Sequence, residues 1–297
     1  MSYAIGIDLG ASRIKAVAVT AAGETLAQAV LPFDAGAKMD WAQKIRAIVE
    51  QLQAEQSKLA RHLAVSAPGL VAKDGRSIAH MPGRLQGLEG LDWSSLLDVP
   101  RAVPVLTDAH AALLGEAWLG AAKGFENVIL LTLGTGVGGA AIVDGRLLHG
   151  HLGRAGHLGH LSLDLDGPPD ICGTPGSLEM MIGNCTVAAR TNGRFQTTQD
   201  LVGAHLAGDA QASRVWLRSV RALACAIASF VNILDPEAVI IGGGIARCHE
   251  ALFEPLLRLV AEVEWKSTGY QVKVLPARLG EYAGAFGAAG HALRQDR

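Results

Sequence analysis

Short apolar runs separated by glycine-rich turns dominate the pattern of this chain. Residues 3–20, YAIGIDLGASRIKAVAVT, contain two β-like runs hinged at DLGAS. Residues 127–143, NVILLTLGTGVGGAAIV, repeat that arrangement, and a third glycine turn follows the apolar run in PEAVIIGGGIA at 236–246. Two similar hairpins this far apart indicate one structural unit used twice.

Helical periodicity appears between these runs. Residues 41–60 place Ile45, Ile48, Val49 and Leu52 on one helical face. VPVLTDAHAALLGEAWLG reads as a strand followed by a helix, and the stretches 177–233 and 282–293 are mainly helical in pattern. Alternating strands and helices predict α/β layers.

Composition and charge narrow the class of protein. Of the 297 residues, 49% are apolar and 18% charged, and the net charge is −2 with basic residues scattered. Nucleic-acid binding usually needs a basic face, so none is expected. The longest apolar run, 222–234, is shorter than the roughly 20 residues that cross a bilayer, and the N-terminus lacks signal-peptide features. We therefore expect no membrane partner and a cytoplasmic location.

The glycine turns are candidate phosphate sites, because backbone N–H groups can approach an anion where no Cβ intervenes. Asp8 could orient a hydrated Mg²⁺ through water, and Arg13 or Lys15 could balance charge. Each turn alone could equally be a plain hairpin connection. The predicted nucleotide-binding residues are Asp8, Gly10, Ser12, Arg13, Gly134, Thr135, Gly136, Gly138, Gly242, Gly243 and Gly244.

Asp108 lies at the junction of a predicted strand and helix. Aspartate is a favourable helix N-cap, which gives one interpretation. The other is a base that accepts a hydroxyl proton during phosphoryl transfer, a reaction that depends mainly on positioning and charge. Both interpretations can hold together.

The motifs together resemble those of the ROK family of sugar kinases and repressors, over nearly the whole chain. DLGAS, TDAHAALLGE, LGTGVGG, GRAGHLGH and DPEAVIIGGG follow that family's order and spacing. The resemblance implies a two-lobed actin-like ATPase (ribonuclease H-like) α/β fold, with a mixed five-stranded sheet and helices in each lobe. It implies ATP and sugar in a cleft, Asp108 as the catalytic base and a homodimer.

The expected boundaries follow from the same resemblance. Residues 1–118, completed by a C-terminal helix at 283–297, would form the N-terminal lobe, and residues 119–282 the C-terminal lobe. The expected activity is transfer of the γ-phosphoryl group of ATP, with Mg²⁺, to a sugar hydroxyl. The alternative is a non-catalytic sugar or nucleotide sensor, or a kinase relic, of the same fold; polyphosphate is an alternative donor.

One departure from the family concerns zinc. The family holds zinc with the histidine of its G-H pair and three cysteines, and these positions carry His160, Asp170, Cys172 and Ser177 here. Structural zinc requires four nitrogen or sulfur donors, and serine is a poor ligand. We expect no zinc, with a water-completed site at His160, Asp170 and Cys172 as the alternative.

The second departure concerns the sugar. The resemblance implies sugar binding by Glu179 and His160, and by Gly69. Family sugar-contacting positions are occupied by His157, Thr107 and His110, and one falls on Gly83 in a less certain alignment. Such replacements predict a sugar unlike glucose, an anionic sugar derivative (with Arg154 nearby), or no sugar. Equally, the histidines could be surface or locally satisfied residues.

Overall fold

The computed structural model describes residues 2–81, 85–266 and 269–295, and these form two compact units. The first unit comprises residues 1–124, 149–155 and 278–297, and the second comprises 125–148 and 156–277. The first unit thus receives a short segment, 149–155, from the middle of the chain, in addition to its C-terminal helix.

Regular elements alternate along the chain as the apolar pattern predicts. The strands are β1 (Tyr3–Leu9), β2 (Arg13–Thr20), β3 (Thr25–Pro32), β4 (His62–Ala67), β5 (Leu70–Val71), β6 (Ile78–His80), β7 (Val105–Thr107), β8 (Val128–Leu133), β9 (Val137–Val143), β10 (Arg146–Leu147), β11 (Ala238–Gly242) and β12 (Lys273–Pro276). The helices are α1 (Asp40–Glu55), α2 (Trp93–Leu97), α3 (Asp108–Leu119), α4 (Leu178–Ile182), α5 (Val187–Arg190), α6 (Thr198–Leu206), α7 (Ala210–Leu234), α8 (Glu250–Val263) and α9 (Ala283–Arg294).

Each unit contains one five-stranded sheet, and the two sheets have the same topology. The first sheet runs β3-β2-β1-β4-β7 and the second runs β10-β9-β8-β11-β12. In both, three antiparallel strands are followed by parallel ones. The predicted fold class is confirmed, and the repeat seen in the two glycine hairpins extends to the whole sheet.

The core of the first unit depends on a very close approach of helix backbones. A Cβ added at Gly287 of α9 would lie 1.7 Å from the carbonyl oxygen of Ala111 in α3. A Cβ added at Gly115 of α3 would lie 2.3 Å from the carbonyl oxygen of Ala283 in α9. A Cβ added at Gly6 of β1 would lie 1.9 Å from the carbonyl oxygen of Ala285, also in α9. Only glycine permits these contacts, so α9 is fixed against both β1 and α3.

Helix α7 has the length and apolar composition of a membrane-crossing helix. Its Trp216, Val220, Leu223 and Ile227 are fully buried in the apolar core of the second unit. That packing is typical of the core helix of a globular unit.

The close packing of α9 predicts that Gly287→Ala destabilises the protein. The new methyl group would overlap the α3 backbone, and overpacking of this kind costs about 1–3 kcal/mol. The matched control is Gly203→Ala in α6, where an added Cβ meets nothing within 4 Å, so higher helix propensity should stabilise slightly. Thermal unfolding of both variants measures the difference. Equal melting temperatures would show that α9 has room to move.

Candidate functional site

A cavity of about 1020 Å³ lies within the first unit, at the carboxyl ends of its parallel strands. Asp8 of β1, Pro68 after β4 and Asp108 after β7 line it, together with Gly10. Strands that are parallel bring their carboxyl ends to one edge, and ligands of open α/β sheets bind at such edges. The topology therefore brings together two aspartates that are far apart in the sequence.

Asp8 is a largely enclosed carboxylate. Its Oδ1 accepts a hydrogen bond of 2.7 Å from the Ser66 hydroxyl. Burial raises the pKa of Asp8 to about 6; Ser66 and Lys15 lower it, and the neighbouring charge of Asp108 raises it further. On another side lies Gly284 of α9, where an added Cβ would be 2.7 Å from Oδ1. The fold thus supplies Asp8 with little compensation for its negative charge.

Asp108 is exposed and is the first residue of α3, not its N-cap. The N-cap is Thr107, whose extended backbone at the end of β7 lets its hydroxyl accept a 3.3 Å bond from the His110 amide. The predicted N-cap role of Asp108 is therefore wrong. With capping done by Thr107, the Asp108 carboxylate lines the cavity, and its Oδ1 accepts from the Ala109 amide at 2.7 Å.

The first glycine turn connects β1 and β2. The Gly10 amide donates to the Arg13 carbonyl at 3.0 Å, and the Ser12 carbonyl accepts from the Phe33 amide at 3.1 Å. Ser12 and Arg13 are exposed, while Lys15 pairs at 4.0 Å with Glu281. The turn is closed by its own backbone and presents polar groups at its tip.

Three other predicted sugar residues of the first unit have structural tasks. The Thr107 hydroxyl caps α3, and buried His110 stands edge-on to the His149 ring at 5.2 Å. Gly69 has φ +105°, and a Cβ there would lie 2.8 Å from the His80 carbonyl. Gly83 lies outside the described residues.

The second glycine turn lies between β8 and β9 and is held by hydrogen bonds from another segment of the chain. Gly134 donates to the Gly136 carbonyl at 2.9 Å and leaves Thr135 exposed. The carbonyls of Gly134 and Thr135 accept from the amides of Asn184 and Cys185 at 3.0 and 2.9 Å. The segment after α4 thus fixes the shape of this turn. Gly138 lies in β9, opposite Thr132 of β8.

Glu179, on the first turn of α4, reaches the same glycine turn. Its Oε2 accepts a 2.9 Å bond from the Val137 amide. A Cβ on Gly136 would lie 2.1 Å from that oxygen, so the carboxylate occupies space that any other residue would fill. The structure therefore joins a predicted sugar residue to a predicted phosphate turn.

Arg190 is a supporting residue that the sequence motifs do not reveal. Its guanidinium donates to the Gly183 carbonyl, the Thr186 hydroxyl and the Ser219 hydroxyl at 3.0, 3.0 and 2.6 Å. Burial lowers the pKa of Arg190 to about 10. The only signal in the sequence is an arginine ending a short apolar stretch, TVAAR. It holds the segment that supports the glycine turn.

The third glycine turn follows β11. Gly242 is buried at the end of the strand, and Gly243 has φ +87° with its Cα facing the Leu133 backbone, where a Cβ would lie 2.3 Å from the carbonyl oxygen. Gly244 is exposed, and a Cβ there meets nothing within 4 Å. Glycine at 243 is thus required by the fold, whereas Gly244 borders open space.

The zinc-motif remnants converge. Ligand atoms of His160, Asp170 and Cys172 all lie within 4.8 Å of one another. His160 Nδ1 is 2.7 Å from Asp170 Oδ2, and His160 Nε2 is 3.6 Å from Cys172 Sγ. Exposed His157 stacks beside the His160 ring at 6.4 Å.

Comparison with known proteins gives a consistent result over the whole chain. The ROK family model matches residues 4–295. A glucokinase from Thermotoga maritima is 31% identical, with 96% of this chain and 95% of the relative aligned. A ROK hexokinase from Thermus thermophilus has a TM-score of 0.86 at 30% identity, covering 99% of each chain. A Streptomyces griseus ROK glucokinase solved with glucose and AMPPNP has a TM-score of 0.79 at 26% identity, covering 99% of this chain and 100% of that one.

The burial of Asp8 predicts a pH-dependent gain in stability for Asp8→Asn. Its ordinary pKa of 3.8 rises to about 6 in the folded protein. Between these values the unfolded chain loses the proton and the folded chain keeps it, so the wild type loses stability as pH rises through this window. Asparagine keeps an acceptor for Ser66 without the charge. Its melting temperature should exceed that of the wild type above pH 6 and approach it near pH 4.

Thermal unfolding of both proteins from pH 4 to 8 measures this difference. Asp144→Asn, on the turn after β9, is the control and should show no such pH-dependent gain, since asparagine tolerates the left-handed backbone there. A constant offset for Asp8→Asn at all pH values would contradict the argument.

The contact between Glu179 and the second glycine turn predicts that Gly136→Ala is destabilising. The methyl group would displace the Glu179 carboxylate from the Val137 amide, and losing a hydrogen bond to a charged group costs about 1.5–3 kcal/mol. Gly134→Ala, two residues away with nothing within 4 Å of its added Cβ, should be far milder. In a double-mutant cycle, Glu179→Ala should remove most of the penalty at Gly136. Additive losses would show that the two residues are independent.

Proposed function

Because the chain belongs to the ROK family, we propose that it is an ATP-dependent carbohydrate kinase that transfers the γ-phosphoryl group of ATP to a sugar hydroxyl. The observation that carries the proposal is the pair of carboxylates, Asp8 and Asp108, on one cavity at the carboxyl edge of the first sheet. Asp8 is partly buried and Asp108 is exposed, which suits two different tasks.

Asp108 is proposed as the base. It is exposed on the cavity, and Thr107 takes the capping task, so the carboxylate can accept the proton of a sugar hydroxyl as that oxygen attacks phosphorus. Its backbone is fixed because β7 passes directly into α3. Phosphoryl transfer depends mainly on such positioning.

Asp8 is proposed to hold Mg²⁺ through water. The residues fit this ion, because Asp8 and Asp108 offer the oxygen ligands that Mg²⁺ prefers and a cation would offset the poorly compensated charge of Asp8. When bound, Mg²⁺ supplies charge neutralisation at the phosphates. The positive charge of Lys15, which lowers the pKa of Asp8, already offsets part of the negative charge of Asp8.

Backbone groups of the glycine turns are proposed to bind the nucleotide. In the first unit these are Gly10, Ser12 and Arg13, where the tip of the turn is polar and exposed. In the second unit they are Gly134, Thr135, Gly136 and Gly138 for phosphate, and Gly242, Gly243 and Gly244 for the nucleoside. The open space at Gly134 and Gly244 supports an approach of ligand to backbone.

The sugar-binding proposal is centred on Glu179 and His160, with His157. Glu179 is held in place by the Val137 amide and His160 by Asp170, so both side chains are pre-oriented. Thr107, His110 and Gly69, which belong to the first unit, are proposed to contribute to sugar binding through the backbone they fix. A cytoplasmic location and a homodimer are part of the proposal, and light scattering after size-exclusion chromatography measures the latter.

The test is an ADP-release screen of the purified protein over hexoses, amino sugars and ketoses, with ATP and with polyphosphate as donor. At least one sugar should be phosphorylated with ATP. Asp108→Asn should then lower kcat by about 10²–10⁴-fold with a smaller change in KM, because it removes the base and keeps the shape.

The matched control is Asp144→Asn, an equal change of charge on the turn after β9, which should keep full activity. Absence of turnover with every sugar, or unchanged kcat in Asp108→Asn, would overturn the proposed function. Saturable thermal stabilisation by a sugar without ADP release would instead identify a binding protein.

A further inference from the structure

The loop between His160 and α4 has a carboxylate at its centre. We infer that Asp170 holds this loop through hydrogen bonds in place of a metal, so that the protein neither contains nor needs structural zinc. The inference concerns the stability and metal content of the second unit and does not depend on the sugar kinase proposal.

The Asp170 side chain is fully buried and accepts hydrogen bonds from both ends of the loop. Oδ2 accepts from His160 Nδ1 at 2.7 Å, and Oδ1 accepts from the amides of Cys172 and Thr174 at 2.9 and 3.0 Å. The Ser177 hydroxyl also bonds to it. One carboxylate thus connects the short helical turn before the loop, the bend of the loop and the N-cap of α4.

The backbone of the loop is closed around the same residue. The Asp170 amide donates to the Thr174 carbonyl at 3.0 Å, and the Gly173 amide donates to the Asp170 carbonyl at 2.9 Å. Gly176 donates to the Pro168 carbonyl at 3.0 Å, and the Ser162 hydroxyl donates to that of Pro175 at 2.7 Å. These bonds give the bend a fixed shape from protein groups.

The donor set does not fit zinc. Two ligands on a tetrahedral zinc with bonds of about 2.0–2.1 Å are about 3.3 Å apart. His160 Nδ1 and Asp170 Oδ2 are 2.7 Å apart, so they contact each other directly. The remaining donors are His160 Nε2 and Cys172 Sγ, and no fourth member joins the cluster within the described part of the chain. Two donors fall short of the four that structural zinc requires.

Electrostatics supports the same conclusion. The His160 and Ser177 side chains and the Thr174 and Cys172 amides all bond to the buried Asp170 carboxylate. A carboxylate this well bonded supplies the negative charge that thiolates supply in a zinc site. Cys172, by contrast, is exposed, so its side chain is not part of the buried group that closes the loop.

A loop held by hydrogen bonds and a loop held by zinc should respond in opposite ways to substitution of Asp170 and Cys172. In the hydrogen-bonded loop the Asp170 side chain is essential, whereas Cys172 contributes mainly its amide. Asp170→Asn should therefore lower the melting temperature by about 5 °C or more, because a neutral amide accepts hydrogen bonds more weakly than the carboxylate that closes the loop. Cys172→Ser should leave the melting temperature unchanged. In a zinc-held loop, Cys172→Ser would be strongly destabilising.

The experiment uses the full chain. Metal content is measured by mass spectrometry after purification in zinc-containing medium, and melting temperatures are recorded with and without EDTA for the wild type, Asp170→Asn and Cys172→Ser. Asp166→Asn, an exposed aspartate of the same loop, is the matched control and should melt like the wild type. The expected result is zinc far below one per chain and no effect of EDTA on the wild type.

A cobalt titration gives an independent readout. The wild type should show no sulfur-to-cobalt charge-transfer absorption. A tetrahedral cobalt spectrum that disappears in Cys172→Ser, one tightly bound zinc per chain with EDTA-sensitive melting, or a neutral Asp170→Asn would each overturn the inference.

Discussion

The contact of helix α9 with β1 and α3 is the constraint on which the first unit depends. Glycines at 6, 115 and 287 let backbones approach to distances that no side chain permits. Glu116, fully buried in α3, adds hydrogen bonds of 2.9 and 2.8 Å from the amides of Arg278 and Leu279, just before α9 begins. β1 carries Asp8 and α3 begins with Asp108, so the relative position of the two carboxylates follows from backbone packing rather than from contacts of their own.

In the second unit, the backbone is positioned differently, by hydrogen bonds from polar side chains. The turn at Gly134 is held by amides of the segment after α4, which Arg190 supports from below. Glu179 and Asp170 each use a carboxylate to fix main-chain N–H groups. These bonds are directional and partly buried, so the geometry of the turn and of the loop is set before any ligand arrives.

Much of the fold could be predicted from the sequence, because apolar periodicity and glycine turns are local signals. They predicted the two hairpins, the alternating layers and the motifs around Asp8 and Asp108. Contacts made by single side chains across the fold leave no local pattern. To predict capping by Thr107, one must know the exact end of β7. To predict the bond from the Val137 amide to Glu179, one must know how α4 packs, and the contact of the His110 ring with His149 joins residues far apart in the sequence. The motif match placed Asp170 at a ligand position, but only its hydrogen bonds show what the carboxylate does there.

The position of α9 along the chain has a consequence for biosynthesis. Domains usually fold as units while the ribosome works from the N-terminus. Here the sheet of the first unit is translated early, but the helix that packs against β1 comes after all of the second unit. The second unit can therefore fold to completion while the face of β1 and α3 that α9 will cover is still exposed to solvent and to chaperones. The aspartates of the first unit reach their final positions only after α9 has been translated.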